Sequence, residues 1–185
     1  AFLPSPSRGS IDLGFLDLRA YGMMIALGVV AAVWVAQKRW VAKGGHEDDI
    51  TAIASWAVPA GLIGARVYHV ATDWKRYQGS WGDAVKIWEG GLGIPGGLAA
   101  GIIVGVLVAR KRGISPSGIL DAAIPSLPIA QAIGRLGNWF NQELFGGPTD
   151  LPWGLKIDEA HRPTEFMDVA TFHPTFLYEG LWNLT

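Results

Sequence analysis

The sequence predicts an all-α fold: a polytopic transmembrane helix bundle of four full spans plus the start of a fifth, with an outward-facing loop domain. All of it falls in a single transmembrane domain over residues 1–185. Three observations predict this. Half of the residues are hydrophobic and only 17% are charged, against roughly 25% in a typical soluble domain. The charges are gathered into short clusters between long apolar runs. Four of those runs approach the roughly 20 residues that a helix needs to cross a bilayer.

The first run extends from Leu18 to about Ala36. Its basic residues Lys38, Arg39 and Lys43 follow it, whereas a secretory signal peptide carries its basic residues in front, so a retained helix is expected. The second run is Ile50 to about Val70, the third Gly90 to Ala109 and the fourth Ile119 to about Gly137. Their Gly and Pro residues would break soluble helices, but membrane helices tolerate them. A fifth run starts near Pro174. Residues 139–173, before it, hold Glu143, Asp150, Asp158, Glu159, Glu165 and Asp168. A connection this long is expected to fold over something.

Two short connections, 37–49 and 110–118, carry the densest Lys and Arg. The positive-inside rule puts them in the cytoplasm, which places the N-terminus and the 139–173 segment outside. Tyr21, Arg66, the Gly-rich stretch Glu89–Gly97, Arg135, and His173 with Tyr178 and Glu179 are then expected at one depth, near the outer leaflet. Asp121 falls at the other end.

Composition excludes several functions. A net charge of −1 offers no basic field for nucleic acid. With no Cys, the chain has no disulfide, thiolate metal site or thiol nucleophile of its own, so any thiol chemistry must use a thiol on the substrate. His46, His69, His161 and His173 are scattered without metal-ligand spacing; neither metal nor cofactor is expected. The nine Trp residues read mainly as an interfacial belt.

The polar residues have competing explanations. Arg66 alone could snorkel to the headgroups and anchor its helix. Arg135 stands in Gly134-Arg135-Leu136-Gly137-Asn138-Trp139-Phe140-Asn141-Gln142-Glu143, where Arg135, Asn138 and Gln142 share one helix face if the helix continues that far. A guanidinium with neutral amide donors can grip a phosphate; the alternative is a helix interface held by polar contacts. Gly91-Leu92-Gly93-Ile94-Pro95-Gly96 fits the dinucleotide fingerprint formally, but no strand precedes it, so close packing or room for a lipid is the better reading. Gly97, Gly101 and Gly105 are spaced for tight helix packing. His69 and His173 are the possible bases nearest neutral pH.

The stretch from Ile133 to Gly146 resembles the signature of the prolipoprotein diacylglyceryl transferases. Further matches occur in the family's order: Arg19-Ala20-Tyr21-Gly22, Gly64-Ala65-Arg66, Trp88-Glu89-Gly90-Gly91-Leu92 and His173-Pro174-Thr175-Phe176-Leu177-Tyr178-Glu179. The resemblance covers nearly the whole chain. It implies a bacterial inner-membrane enzyme that moves the diacylglyceryl group of phosphatidylglycerol onto the lipobox cysteine of a prelipoprotein signal peptide, releasing glycerol phosphate. It implies that Arg135 handles the phosphate, and that Tyr21, Asn138, Glu143 and Gly146 occupy important positions. Arg66, Asn141, Gly91 and Gly97 join them as expected contacts to substrate or membrane lipid, and His69 and Glu143 as the catalytic partners of Arg135. Arg66 is expected to share the charge on the leaving group or to orient Arg135 through Glu143.

Three departures stand out. Pro95 replaces a His found in some relatives. Gln142 stands where Gly is common, and Phe176 where Gln is common. The family continues past its fifth helix, so a C-terminally shortened member is expected. The competing class is a non-enzymatic transporter of lipid or anions, which also uses intramembrane Arg and Gly-broken helices. A structural membrane subunit is the third.

Overall fold

The computed structural model describes residues 2–6, 9–12, 17–87 and 90–185. Trp88 and Glu89, which open one of the family-like stretches, lie outside the described residues. The chain divides into two compact units, Ala36–Ile124 and a second made of Ala1–Val35 with Pro125–Thr185.

A short antiparallel pair, β1 (Ser10–Asp12) and β2 (Asp17–Arg19), leads directly into α1 (Ala20–Ala42). Next come α2 (Glu47–Thr72) and α3 (Ile94–Lys111). These three helices are long and apolar enough to cross a membrane. Val30, Ile63 and Ile103 remain 65%, 65% and 59% exposed, an apolar surface of the kind that marks a membrane or partner contact. Each helix overruns the apolar run that predicts it. Lys38 and Arg39 lie inside α1, and Arg110 and Lys111 form the last turn of α3. Cations belong there, because the carbonyl end of a helix carries partial negative charge.

The fourth run differs from expectation. It is not one α-helix but α4 (Pro116–Ala123), a 3₁₀ turn at Ile124–Ser126, and α5 (Leu127–Asn141). Pro125 and Pro128 each lack the N–H that would continue the ladder, so the backbone tightens between them. The fifth run begins as α6 (Thr175–Leu184).

In the unit Ala36–Ile124, α2 and α3 pack through small residues. A Cβ on Gly97 would lie 3.2 Å from Ala65 Cβ, and one on Gly101 would lie 3.4 Å from the Ala57 carbonyl oxygen. The α2 N-terminus is closed by a capping box between His46 and Asp49. Asp49 also accepts from Trp40 Nε1 at 3.0 Å and faces Arg112 at 3.5 Å.

In the other unit, α1 packs on α5 and α5 on α6. Gly28 approaches the Ala130 carbonyl, with 2.9 Å left for a Cβ. The segment after α5 is folded and not all-helical. Its strands β3 (Leu155–Lys156) and β4 (Thr171–Phe172) pair antiparallel. Leu155, Ile157 and Phe172 are 2%, 0% and 0% exposed and form a small core with Trp139, Phe145, Phe166 and Phe176 around it. The N-terminal segment is strapped onto this core. Leu3 bridges to Leu155, Ser5 Oγ donates to the Lys156 carbonyl at 2.5 Å, and Trp139 Nε1 donates to the Pro4 carbonyl at 3.1 Å.

Candidate active site

Helix α5 carries Arg135 and Asn138 one turn apart, so their side chains meet. Arg135 Nη1 donates to Asn138 Oδ1 at 3.2 Å, and Asn138 Nδ2 donates to Glu143 Oε1 at 3.0 Å. Asn141 Nδ2 donates to the same oxygen at 3.0 Å. The other terminal nitrogen of Arg135, Nη2, forms an ion pair with Glu179 of α6. The guanidinium is thus held from two sides, by an amide relay to Glu143 and by a direct carboxylate. Its side chain keeps 32% exposure, which leaves it able to meet a further anion.

The turn after α5 sets this geometry. Gln142 caps the helix in the left-handed conformation, φ 52° and ψ 47°. Glu143 N returns to the Asn138 carbonyl at 3.1 Å, and this return puts the Glu143 carboxylate beside the two amides. A non-glycine residue is uncommon in that conformation, but the Gln142 side chain is fully engaged. It donates to Pro6 O at 3.1 Å and to Asp158 Oδ2 at 2.7 Å, and accepts from Asp158 N at 2.7 Å. The expected face of Arg135, Asn138 and Gln142 is therefore not formed. The helix ends before Gln142, which turns to the N-terminal strap instead.

Tyr21 and Gly146 belong to the same unit. Tyr21 packs over Gly137, where a Cβ would lie 2.7 Å from its ring. Gly146 donates its N–H to the His173 carbonyl at 2.9 Å, and a Cβ there would meet His173 at 2.8 Å. Beside it, Trp153 Nε1 donates to the Tyr178 hydroxyl at 3.0 Å, and that hydroxyl lies 3.1 Å from His173 Nδ1.

Arg66, His69, Gly91 and Gly97 lie in the other unit. Arg66 is 7% exposed, and its donors are taken by main-chain carbonyls. Nε reaches Ala84 at 2.7 Å, Nη2 reaches Asp83 at 2.6 Å, and Nη1 reaches Gly90 at 2.5 Å and Gly91 at 3.0 Å. Its Cζ lies 5.5 Å from the Tyr77 ring centroid. Its fork staples together the main chain at Asp83, Ala84, Gly90 and Gly91. Gly91 is required here, because its φ is +77° and a Cβ would lie 2.5 Å from His69 Nε2 and 2.8 Å from Arg66 Nη1. Gly97 packs on α2 as already described. His69 stands edge-on to Tyr77, with centroids 6.1 Å apart. Its Nε2 is buried and has no hydrogen-bond partner among the described residues.

Sequence reading did not pair Arg135 with Glu179, nor Gln142 with Asp158. A signal for the first pair exists: an arginine in an apolar setting needs a carboxylate, and Glu179 is the one acidic residue of α6. Nothing local signals the second, because it depends on a turn closing over the N-terminal strap. Among the described residues, no group of His, Asp and Glu is arranged to hold a metal ion.

Residues 8–185 match the family model described as prolipoprotein diacylglyceryl transferase. Among curated relatives, the phosphatidylglycerol–prolipoprotein diacylglyceryl transferase 2 of Streptomyces coelicolor is 54% identical over 187 positions, covering 100% of this chain and 59% of that protein. The enzyme of that name from Streptomyces griseus is 53% identical, covering 98% and 56%. The one from Frankia alni is 54% identical, covering 100% and 49%. The chain thus spans between about half and three fifths of these relatives' length. With a family match over almost every residue and a signature arginine held in a defined polar network, the chain belongs to the prolipoprotein diacylglyceryl transferase family.

Proposed function

We propose that the protein transfers the diacylglyceryl group of phosphatidylglycerol to the lipobox cysteine of a prelipoprotein signal peptide, in the bacterial inner membrane. The single observation that carries this reading is the Arg135 network, a partly exposed guanidinium oriented by Asn138, Glu143 and Glu179. The thiolate sulfur attacks the glycerol carbon that bears the phosphate, forming a C–S bond. The C–O bond breaks, and glycerol phosphate leaves with the electron pair. Arg135 and Asn138 are preorganised donors for that developing charge. A free thiol has a pKa of about 8.5, so its proton needs an acceptor. His69, with a buried Nε2 and no partner among the described residues, is our candidate, and Tyr21 is a contact to lipid.

The membrane arrangement is part of the proposal. Leu3 pairs with Leu155, so both lie on one side of the bilayer and the chain between them crosses an even number of times. Three long apolar helices make an odd count, which supports the broken segment α4–α5 as the fourth crossing. The basic ends of α1 and α3 support a cytoplasmic position for them, with the N-terminus and the 139–173 segment outside.

The test is transfer of labelled diacylglycerol from phosphatidylglycerol to a lipobox peptide by the full-length protein and its Arg135→Ala variant, with membrane insertion checked in both. Loss of transfer with normal insertion is expected; near-normal transfer would refute the role of Arg135. His69→Ala is expected to slow transfer most at low pH, where the thiol is least ionised. An unchanged pH–rate profile removes His69.

A further inference from the structure

Helix α6 carries Glu179, the carboxylate that pairs with Arg135, yet little packing fixes where α6 stands. It has ten residues, none of them buried, and no side-chain hydrogen bond caps its start among the described residues. A helix that short is marginal by itself. Its seam with α5 leaves a groove of about 220 Å³, lined among others by Ile133, Leu136, Leu177 and Leu181. A Cβ on Gly180 would still be 3.9 Å from the Ala132 carbonyl oxygen. A seam with open space gives up the contacts that would resist sliding or turning.

The first turn of α6 is pinned at its start. Thr175 Oγ1 donates to the Leu144 carbonyl, and Phe176 stacks on Trp139 with ring centroids 5.8 Å apart. Two adjacent pins still leave a helix free to pivot about them. The next hold is the Tyr178 hydroxyl, one residue before Glu179. It accepts from Trp153 Nε1 at 3.0 Å and lies 3.1 Å from His173 Nδ1. An indole N–H can only donate, so the hydroxyl keeps its own hydrogen for the imidazole.

Both partners of that hydroxyl are rooted in firm structure. Trp153 stands two residues before Leu155 and His173 directly after Phe172, and these two are core residues of the folded segment. The main chain of His173 is held on both sides. Its N–H donates to the Gly147 carbonyl at 3.0 Å, and its carbonyl accepts from Gly146 at 2.9 Å. A continuous series of contacts therefore runs from the core through Trp153 and His173 to Tyr178, and along α6 to Glu179 and Arg135.

We infer that Trp153 and Tyr178 are positioning residues for Arg135, acting through Glu179. They stop α6 from pivoting and so hold the carboxylate against the guanidinium. The folded segment thereby sets the direction in which Arg135 meets an anion. The effect on rate rests on the transfer reaction proposed above; the effect on Arg135 itself does not.

Two measurements on the full-length protein in detergent test this, with Trp153→Phe, Tyr178→Phe and Glu179→Gln. The first is modification of arginine by phenylglyoxal, assigned to single residues by peptide mass mapping. Trp153→Phe and Tyr178→Phe are each expected to raise the rate at Arg135 about fivefold, the scale of one neutral hydrogen bond. Arg162, which donates to the Ile157 and Met167 carbonyls in the same segment, should react as in the parent. A parent-like rate at Arg135 in both variants overturns the inference. An equal rise at Arg162 means general loosening of the segment and overturns it too. The second measurement is kcat for lipid transfer. Tyr178→Phe is expected to lower it about fivefold in the parent and to cause no further loss in Glu179→Gln, because residues acting in one series are not additive. The same loss in both backgrounds overturns the route through Glu179. Should Tyr178→Phe fail to fold, Trp153→Phe, which keeps an aromatic ring and lacks the N–H, decides by the same readouts. The expected change at Arg135 in a protein that transfers no lipid would sink the transferase reading and leave the positioning role standing.

Discussion

Arg135 of α5 and Glu179 of α6 form an ion pair that ties the signature arginine to the helix following the extended segment. The pair leaves Arg135 one further direction of approach, and it fixes where that direction points. Their side chains are 32% and 50% exposed, so the pair matters more for orientation than for stability.

Glu179→Gln keeps the shape and removes the counter-charge. It is expected to reduce lipid transfer about tenfold, the effect of losing one charge-assisted contact in the transition state. Stability should change by less than about 1 kcal/mol, as for other exposed pairs. Transfer kinetics measured beside detergent unfolding check both parts, and a stability loss without a rate loss would contradict the orienting role.

Arg66 makes its hydrogen bonds to four carbonyls from one planar fork. A lysine has no such fork. Arg66→Lys is therefore expected to loosen the 83–91 loop and to destabilise the protein by about 2 kcal/mol, the scale of buried carbonyls left without partners. Limited proteolysis should show new cleavage between 78 and 93, and a cleavage pattern identical to the parent's would argue against the staple.

Helix α2 approaches α3 so closely at Gly64 that a Cβ would meet Ala100 Cβ and the Gly96 carbonyl. Gly64→Leu is expected to destabilise the pair by about 1–3 kcal/mol or more, the cost of overpacking. Gly22 in α1 has nothing within 4 Å of an added Cβ, so Gly22→Ala should stabilise by about 0.5–1 kcal/mol through the lost flexibility of glycine. Unfolding titrations of the two variants should move in opposite directions.

Gln142 combines a left-handed backbone with three side-chain hydrogen bonds. Gln142→Ala loses the bonds and keeps the backbone penalty. Gln142→Gly loses the bonds and relieves a penalty of about 1–2 kcal/mol. The glycine variant should therefore melt above the alanine variant and below the parent, in a thermal scan of all three.

The helical spans were legible because hydropathy and length alone decide them. The runs beginning at Leu18, Ile50 and Gly90 correspond to α1, α2 and α3, each displaced by a few residues at its ends. The interruption at Pro125 was less legible, since proline is compatible with a continuous membrane helix when its neighbours satisfy the freed carbonyl. The Arg135 network was readable as a helix face as far as Asn138. Beyond it, the turn at Gln142 redirected the chain, and no periodicity encodes that. The carbonyl partners of Arg66 were not legible, because carbonyls carry no sequence signal.

The strap of residues 2–6 imposes an order on synthesis. Ser5 and Lys156 bond across a sequence separation of 151. At about 5–20 residues per second of translation, roughly 8–30 s pass between the appearance of the two. The strap thus leaves the ribosome before its partner strand and docks only after the helices between them have been made. Until then Leu3 has no partner strand, and the core around Phe172 does not yet exist. A bulky group inserted just ahead of the strap would act on that closing step, delaying closure around Phe172 while leaving the helices themselves free to form.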